Sequence, residues 1–228
     1  MNKVLAIETS AEACSVALSA DGFSREIFKH APMRHAELLL PAIHSLLADA
    51  GLELSALDAI AFGRGPGSFT SLRIGIGVVQ GLAWGAQLPV VPVSSLAVVA
   101  QGVARNPVEP GARICVAMDA RMQEVYTGTF VLGDDGLVVS DGAERVCSPE
   151  QVEPGEKGTY IAAGNGFERF EFLAQTGAGA LRCEADAWPH AKAVCRLATS
   201  WLQSNEPLPP ALAQPVYLRN EVASRPAI

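Results

Sequence analysis

Basic side chains are scarce in this sequence. Its 17 lysines and arginines stand against 24 acidic residues, which gives the 228-residue chain a formal net charge of −7 at pH 7. Domains that bind nucleic acid unaided normally carry a basic patch, because their cations displace counterions from the phosphates. The composition therefore argues against a free-standing nucleic-acid-binding protein, and any work on RNA would need a basic partner.

Cysteine pairs are absent as well. The five cysteines are odd in number and scattered, and none forms a Cys-x-x-Cys pair. Disulfide frameworks and zinc sites need paired or clustered cysteines, so the pattern indicates reduced thiols in a cytosolic protein. Residues 1–8 also lack the long apolar segment and the cleavage site of a signal peptide, which predicts a cytoplasmic location.

Motifs for metal binding and nucleophilic catalysis are missing too. No two of the four histidines lie three or four residues apart, the spacing that points two imidazoles on a helix at one ion. Neither Ser68 nor Ser95 stands in a Gly-x-Ser-x-Gly turn, and no histidine and acid are placed by sequence to complete a triad. These absences disfavour a metal site and a catalytic serine.

One long segment lacks charge altogether, from residue 74 to residue 104. Its length raises the question of a membrane span. Pro89 and Pro92 divide it, however, and Gln80 and Gln87 add polar groups, so it is predicted as a buried unit of helix, strand and helix. No contact with a membrane is expected.

Strand and helix signals are regular in the first part of the chain. Strands are predicted at residues 3–8, 13–20, 23–29 and 58–63, and Asp21-Gly22 is a strong hairpin turn signal. Apolar residues at helical spacing predict a helix at 35–50 that Gly51 ends, although Pro41 should kink or divide it. Helices are also predicted at 167–175 and 191–202.

The second half repeats the opening of the first. Residues 115–119 resemble residues 4–8, and a strand pattern that ends in an Asp-Gly turn follows each of them. We therefore predict an α/β protein of two related lobes, 1–106 and 107–228, with a linker at 106–111.

A glycine-rich loop, residues 63–68, enters a predicted helix at 69–87 that carries Gly77, Gly81 and Gly85. Such a loop could cradle a phosphate, but it matches neither the Walker nor the Rossmann spacing, and a tight turn with Ser68 as N-cap is the simpler interpretation. Each interior glycine costs roughly 0.5 to 1 kcal/mol relative to alanine, so the glycine row predicts a close approach of another backbone. Contact with a partner and internal packing against the sheet both remain open.

Three motifs carry a family resemblance: Gly-Pro-Gly-Ser-Phe-Thr at 65–70 with Leu-Arg-Ile-Gly at 72–75, Ala-Met-Asp-Ala-Arg at 117–121 before Glu-Val-Tyr at 124–126, and Pro-Val-Tyr-Leu-Arg at 215–219. By these motifs the chain resembles the bacterial TsaB family of tRNA threonylcarbamoyladenosine biosynthesis proteins, also called YeaZ, over essentially its whole length. It departs from the family pattern at Ser71, where glycine is usual, and at Glu8, where aspartate is common.

The resemblance implies a two-lobed actin-like, Hsp70-like and sugar-kinase-like fold, and a non-catalytic subunit. That subunit would bind and activate a TsaD-type threonylcarbamoyl transferase, which modifies the adenosine beside the anticodon, together with a TsaE-type ATPase. The paralogous transferase holds a metal with a His-x-x-x-His motif, where this chain has Ser-Ser-Leu-Ala-Val at 94–98. The chain itself would then need no cofactor and would contact tRNA only indirectly, while ATP in the assembled complex is left open.

The resemblance also implies a contact surface. Family members pair with the transferase through the two helices at 35–50 and 69–87 and self-pair through the same surface, so homodimer and heterodimer would exclude each other. The candidate contact residues are His35, Leu39, Ile43, Leu46, Ser68, Thr70, Arg73, Gly77, Gly81 and Gly85.

Weaker candidates for a nucleotide site are Glu8, Thr9, Ser10 and Asp119. They stand where actin-like ATPases present an acid and a phosphate-binding turn, but the usual glycine of that turn is absent, so carboxylates that cap a nearby turn are the stronger interpretation. The rival function is that of a nucleotide-dependent phosphotransferase or a peptidase of the same superfamily, which turnover by the isolated chain would support.

Overall fold

A computed structural model describes residues 2–104 and 108–219, and its first half is built around a five-stranded sheet. The strands are β1 (Val4–Glu8), β2 (Ala13–Ala20), β3 (Phe23–His30), β4 (Ala59–Gly63) and β5 (Val90–Val93), in the order β3-β2-β1-β4-β5. The first three strands pair antiparallel, and β4 and β5 run parallel to β1. Asp21 and Gly22 join β2 to β3 with positive φ, as the turn signal predicts.

The second half repeats this topology. Its strands are β6 (Arg113–Asp119), β7 (Val125–Leu132), β8 (Val138–Ser140), β9 (Arg145–Cys147), β10 (Tyr160–Ala163) and β11 (Arg182–Glu184). The order β8-β7-β6-β10-β11 has the same pattern of antiparallel and parallel pairs, with β9 added beside β7. The predicted α/β fold with a duplicated strand arrangement is thereby confirmed.

In the part of the chain that the structure describes, six α-helices cover the sheets in layers. They are α1 (His35–Ala50), α2 (Phe69–Ala86), α3 (Ser95–Val103), α4 (Gly166–Arg169), α5 (Glu171–Gly177) and α6 (Ala191–Ser204). Helices α1 and α2 pack on one face of the first sheet over large side chains such as Leu5, Ile60 and Phe62. Its other face, lined by small residues such as Ala6 and Ala61, packs against α6. On the second sheet, α3 packs on the face towards α6 and α5 on the other.

Helices α3 and α6 each pack on the sheet formed by the other half of the sequence. Helix α3, from the first half of the sequence, packs on β6, β7 and β8, whereas α6, from the second half, packs on β1, β2 and β4. The chain crosses between the halves at the predicted linker, of which residues 106 and 107 lie outside the described residues. The division into lobes 1–106 and 107–228 stays a prediction.

The uncharged segment forms the expected unit of helix, strand and helix, namely α2, β5 and α3, but α2 is buried on one face only. Strand β5 is largely buried between its neighbour β4 and a bridge from Val90 to Leu208. In the described residues, no helix combines the length and the apolar character needed to cross a membrane.

The structure corrects two helix predictions. Helix α1 is not divided at Pro41 and runs on through it, while the alternative of a kink stays a prediction. The carbonyl that this proline leaves without an amide partner belongs to Glu37, which is exposed and can therefore be hydrated. The helix predicted at 167–175 is divided at Phe170, whose extended backbone separates α4 from α5 and whose ring packs against the core of the second sheet.

Candidate functional site

The outward face of α2 is a ridge without side chains over much of its length. Phe69, Arg73, Gly77, Gly81 and Gly85 follow one another every four residues and are all exposed. A Cβ built on any of the three glycines would meet nothing within 4 Å. These glycines therefore do not pack against the sheet, and the backbone of α2 is open to the surface.

The core side of α2 shows why the helix has two faces. Leu72, Ile76, Val79 and Ala83 are buried against the first sheet. Gly75 is also buried, and a Cβ there would overlap the hydroxyl of Thr9. Within α2, the exposed glycines Gly77, Gly81 and Gly85 have no such neighbour in this chain's described residues. They therefore allow close approach by the surface of another chain.

The structure corrects the candidate contact residues of α1. His35, Leu39, Ile43 and Leu46 are all buried, with 0 to 4% of each side chain exposed. Their spacing of three and four residues places them on the side of the helix that faces the sheet, because an apolar stripe of a surface helix turns towards the core. Their side chains are buried on the side of α1 that faces the sheet, so they are not exposed to a partner.

The exposed side of α1 carries different residues, among them Leu40 and His44. Leu40 is 53% exposed, Trp84 on α2 is 64% exposed, and Leu212, whose turn packs on α2, is 52% exposed. We call the exposed residues of α1 and α2, with Leu212, the helix-pair face. Large apolar side chains beside an open backbone ridge are typical of a protein contact surface.

The glycine-rich loop is held against the turn between β1 and β2. A Cβ on Gly67 would overlap the carbonyl of Ser10, and the amide of Ser68 donates to that carbonyl at 2.7 Å. Ser68 occupies the predicted N-cap position of α2, but it makes no capping bond, and its hydroxyl lies 3.0 Å from that of Ser71. The loop is therefore fixed by backbone packing, which glycine permits.

Glu8 and Thr9 form hydrogen bonds with other residues of this chain. The carboxylate of Glu8 is fully buried and accepts bonds from the Ser10 amide at 2.6 Å and the Ser95 hydroxyl at 2.9 Å. The Thr9 hydroxyl donates to the carbonyl of Ser71 at 3.0 Å. Burial disfavours the charged carboxylate and raises the pKa of Glu8. The group ties β1 to the start of α3.

Asp119 stands at the corresponding end of β6. Its side chain is 5% exposed, accepts a bond from the Arg121 amide at 2.9 Å and lies 3.2 Å from the guanidinium of Arg169. Its backbone amide donates to Asn165 at 2.8 Å. Asp119 and Ser10 line opposite walls of a cleft of about 480 Å³ between the lobes. The structure thus brings two of the four weaker candidates to one cleft.

The cleft mouth holds a feature that the sequence pattern did not reveal. Arg121, Met122 and Gln123 all have positive φ, a conformation that costs a residue other than glycine about 1 kcal/mol or more. The side chain of Arg219 donates to the carbonyl of Ala120 at 3.2 Å and also pairs with Glu124. The C-terminal motif therefore clamps this strained turn, and no local signal in the sequence marks it.

The chain is similar to known proteins in sequence and in structure. The family model described as "TsaD: tRNA N6-adenosine threonylcarbamoyltransferase" matches residues 29–223. The tRNA threonylcarbamoyladenosine biosynthesis protein TsaB of Escherichia coli K12 is 38% identical over 224 residues, which cover 97% of this chain and 96% of that protein. The TsaB protein of Haemophilus influenzae is 37% identical over 227 residues, 96% of this chain and 94% of that protein.

The chain belongs to the TsaB family.

A solved structure agrees with this assignment. It is described as an uncharacterized protein with similarity to peptidase YEAZ from Pseudomonas aeruginosa, and it is 42% identical to this chain, with a TM-score of 0.88 over 96% of this chain and 100% of that one. The TsaB fold is therefore shared across the whole described length.

The described residues of this TsaB chain offer no peptidase-like pair. The hydroxyl of Ser95 bonds to Glu8 and that of Ser68 to Ser71, and no histidine within residues 2–104 or 108–219 bonds to a serine hydroxyl. The Nε2 atom of His35 forms hydrogen bonds with the carbonyl oxygens of Ala11 and Ala13. Over the same ranges, no group of three or more potential ligands could hold a metal ion.

The buried carboxyl of Glu8 makes a testable contribution to pH dependence. Its pKa is raised in the folded state above the ordinary value of 4.5, so its protonated form favours folding at low pH and this advantage is lost as pH rises through the folded pKa. We expect the stability of the wild type relative to Glu8→Gln to fall as pH increases above 4.5. Urea denaturation between pH 4.5 and 8 measures it.

The control is Gln203→Leu, an exposed change that removes no titratable group. The stability difference between wild type and Gln203→Leu should stay nearly level over the same pH range. A level difference for Glu8→Gln as well would show that Glu8 ionises normally in the folded chain.

Proposed function

We propose that this chain is a non-catalytic subunit of tRNA threonylcarbamoyladenosine modification, and that it binds and activates a TsaD-type transferase. The observation that carries the proposal is the open glycine ridge of α2, where Gly77, Gly81 and Gly85 leave the helix backbone bare. A helix of the partner can approach such a ridge more closely than it could approach side chains. The helix-pair face is the docking surface in this proposal.

The family comparisons support the choice of partner. Curated relatives of nearly equal length are named as tRNA threonylcarbamoyladenosine biosynthesis proteins. A family model named for the transferase itself matches residues 29–223 of this chain, so the proposed partner is a homologue of this chain. Two homologous chains that meet through equivalent helices would form a pseudo-symmetric pair, and a homodimer through the same helices would compete with it.

Chemistry resides in the partner under this proposal. The net charge of −7 suits a subunit that meets tRNA only through its complex. A TsaE-type ATPase completes the assembly in the cytoplasm, and the present chain needs no cofactor of its own.

The test is reconstitution with the TsaD-type and TsaE-type proteins of the same organism. Light scattering should show a one-to-one complex of this chain with the transferase, and threonylcarbamoyl transfer to tRNA should depend on this chain. Absence of a complex with all components and ATP present would contradict the proposal. Nucleotide or peptide turnover by the isolated chain would favour the rival enzymatic function.

A further inference from the structure

Arg73 is the single charged residue of α2 and heads its glycine ridge. Its Nε donates to the hydroxyl of Tyr217 at 3.0 Å, and its guanidinium carbon lies 3.8 Å from the ring centre of Phe69. The two rings are themselves in contact, with centroids 5.3 Å apart. The guanidinium is therefore fixed in one position on an exposed surface before any partner arrives.

Among the described residues, no carboxylate matches the charge of Arg73. In residues 2–104 and 108–219 most arginines pair with a carboxylate, as Arg25 does with Asp49, but Arg73 has no such ion pair. In the same part of the chain its two Nη groups have no hydrogen-bond acceptor, because the bond to Tyr217 uses Nε alone. This acidic protein thus presents at its helix-pair face an ordered guanidinium whose Nη groups have no acceptor among the described residues.

We propose that Arg73 binds a carboxylate of the transferase subunit and so favours the heterodimer over the homodimer; this inference rests on the proposed function. The paired Nη groups of an arginine match the two oxygens of a carboxylate, and a fixed side chain loses little conformational freedom when it binds. The ligand is a glutamate or aspartate side chain on the facing helices of the partner.

On the equivalent helices, a second copy of this chain offers Arg73 only carboxylates that already form ion pairs. Helix α2 contains no acidic residue, and the two acids of α1, Glu37 and Asp49, each have one oxygen paired with an arginine, Arg34 and Arg25. A two-fold contact uses the same patch twice, so two arginines would compete with existing ion pairs for an acceptor. This competition disfavours the homodimer, whereas a partner with an acid of its own opposite Arg73 avoids it.

Tyr217 is a positioning residue in this arrangement. It comes from the C-terminal motif, and it reaches α2 because the neighbouring Val216 amide donates to the carbonyl of Arg64 at 2.8 Å. Its hydroxyl holds the guanidinium through Nε, and both Nη groups stay without an acceptor among the described residues. Tyr217→Phe removes only this bond and keeps the ring beside Phe69.

The experiment measures heterodimer affinity by calorimetry and homodimer affinity by sedimentation equilibrium, at low and high salt. Arg73→Ala should weaken the heterodimer about 30-fold and flatten its salt dependence, because an arginine that pairs with a carboxylate across a contact is a typical hot spot. Arg73→Lys should recover only part of the affinity, since an ammonium lacks the fork. Arg73→Ala should leave the homodimer unchanged or tighter. Tyr217→Phe should weaken the heterodimer while retaining its salt dependence.

Arg196→Ala is the matched control, because it removes an exposed arginine from α6, on the opposite face of the first sheet. It should change neither dimer. If Arg73→Ala weakens both dimers equally, or changes the heterodimer less than threefold while Gly81→Leu disrupts it, the inference is wrong and the proposed function stands. If the wild type forms no heterodimer, the proposed function fails and the inference with it.

Discussion

Gly81→Leu is expected to disrupt the complex with the transferase and to leave the fold intact. The leucine side chain would stand on the bare ridge of α2, where a Cβ meets nothing within this chain but would meet a docked helix. Adding bulk to a closely packed contact costs about 3 kcal/mol, which is about a 100-fold loss of affinity. Light scattering and calorimetry with the transferase measure the loss.

The stability of the isolated Gly81→Leu chain separates a contact surface from a core. Because leucine is a better helix former than glycine by roughly 0.8 kcal/mol, the midpoint of thermal unfolding should stay level or rise. Gln203→Leu, an exposed change on α6, is the control for added apolar bulk and should not affect pairing. Unfolding of Gly81→Leu would show that the ridge is internal, and intact pairing would move the docking surface elsewhere.

Gly75→Ala is expected to destabilise the fold, unlike Gly81→Leu, although both positions lie on α2. A Cβ at Gly75 overlaps the hydroxyl of Thr9, which is buried and bonded to the carbonyl of Ser71. Overpacking of this kind costs about 1 to 3 kcal/mol of unfolding free energy. Gly77→Ala, two residues along, should instead raise it by about 1 kcal/mol, because alanine is favoured in an open helix position. Urea denaturation measures both changes.

A double variant identifies the cause. Thr9→Ala removes the atoms that a new Cβ would strike, so the combination with Gly75→Ala should recover part of the loss in a double-mutant cycle. Additive losses in the two single variants would place the strain outside the Thr9 contact. Equal shifts for Gly75→Ala and Gly77→Ala would contradict the two-faced arrangement of α2.

Much of the fold could be predicted because its signals are local. The Asp21-Gly22 turn joins β2 to β3 where expected, and helical spacing placed α1 and α2 within a residue of their observed bounds. The repeat of the opening pattern at residues 115–119 indicated the second lobe, which has the same strand order. Such signals are carried by a few neighbouring residues and need no long-range contact.

The candidate contact residues of α1 are buried, whereas those of α2 and its N-cap are exposed. The apolar residues that revealed α1, Leu39 and Ile43 among them, are those that the helix turns towards the sheet. A periodic apolar stripe marks the buried face, so the partner-facing residues must be sought on the other side. On α2 the sequence left contact with a partner and internal packing of the glycines both open, and the structure shows that Gly77, Gly81 and Gly85 face open space.

By itself the sequence determined two related α/β lobes, a glycine-rich loop that leads into a helix, and membership of the TsaB family. It could not distinguish Gly75, which accommodates Thr9, from Gly77, which faces open space, since the same residue serves both needs. Only the tertiary structure decided this, along with the exchange of α3 and α6 between sheets and the ordered position of Arg73. Each depends on contacts between residues far apart in the chain, which local periodicity does not encode.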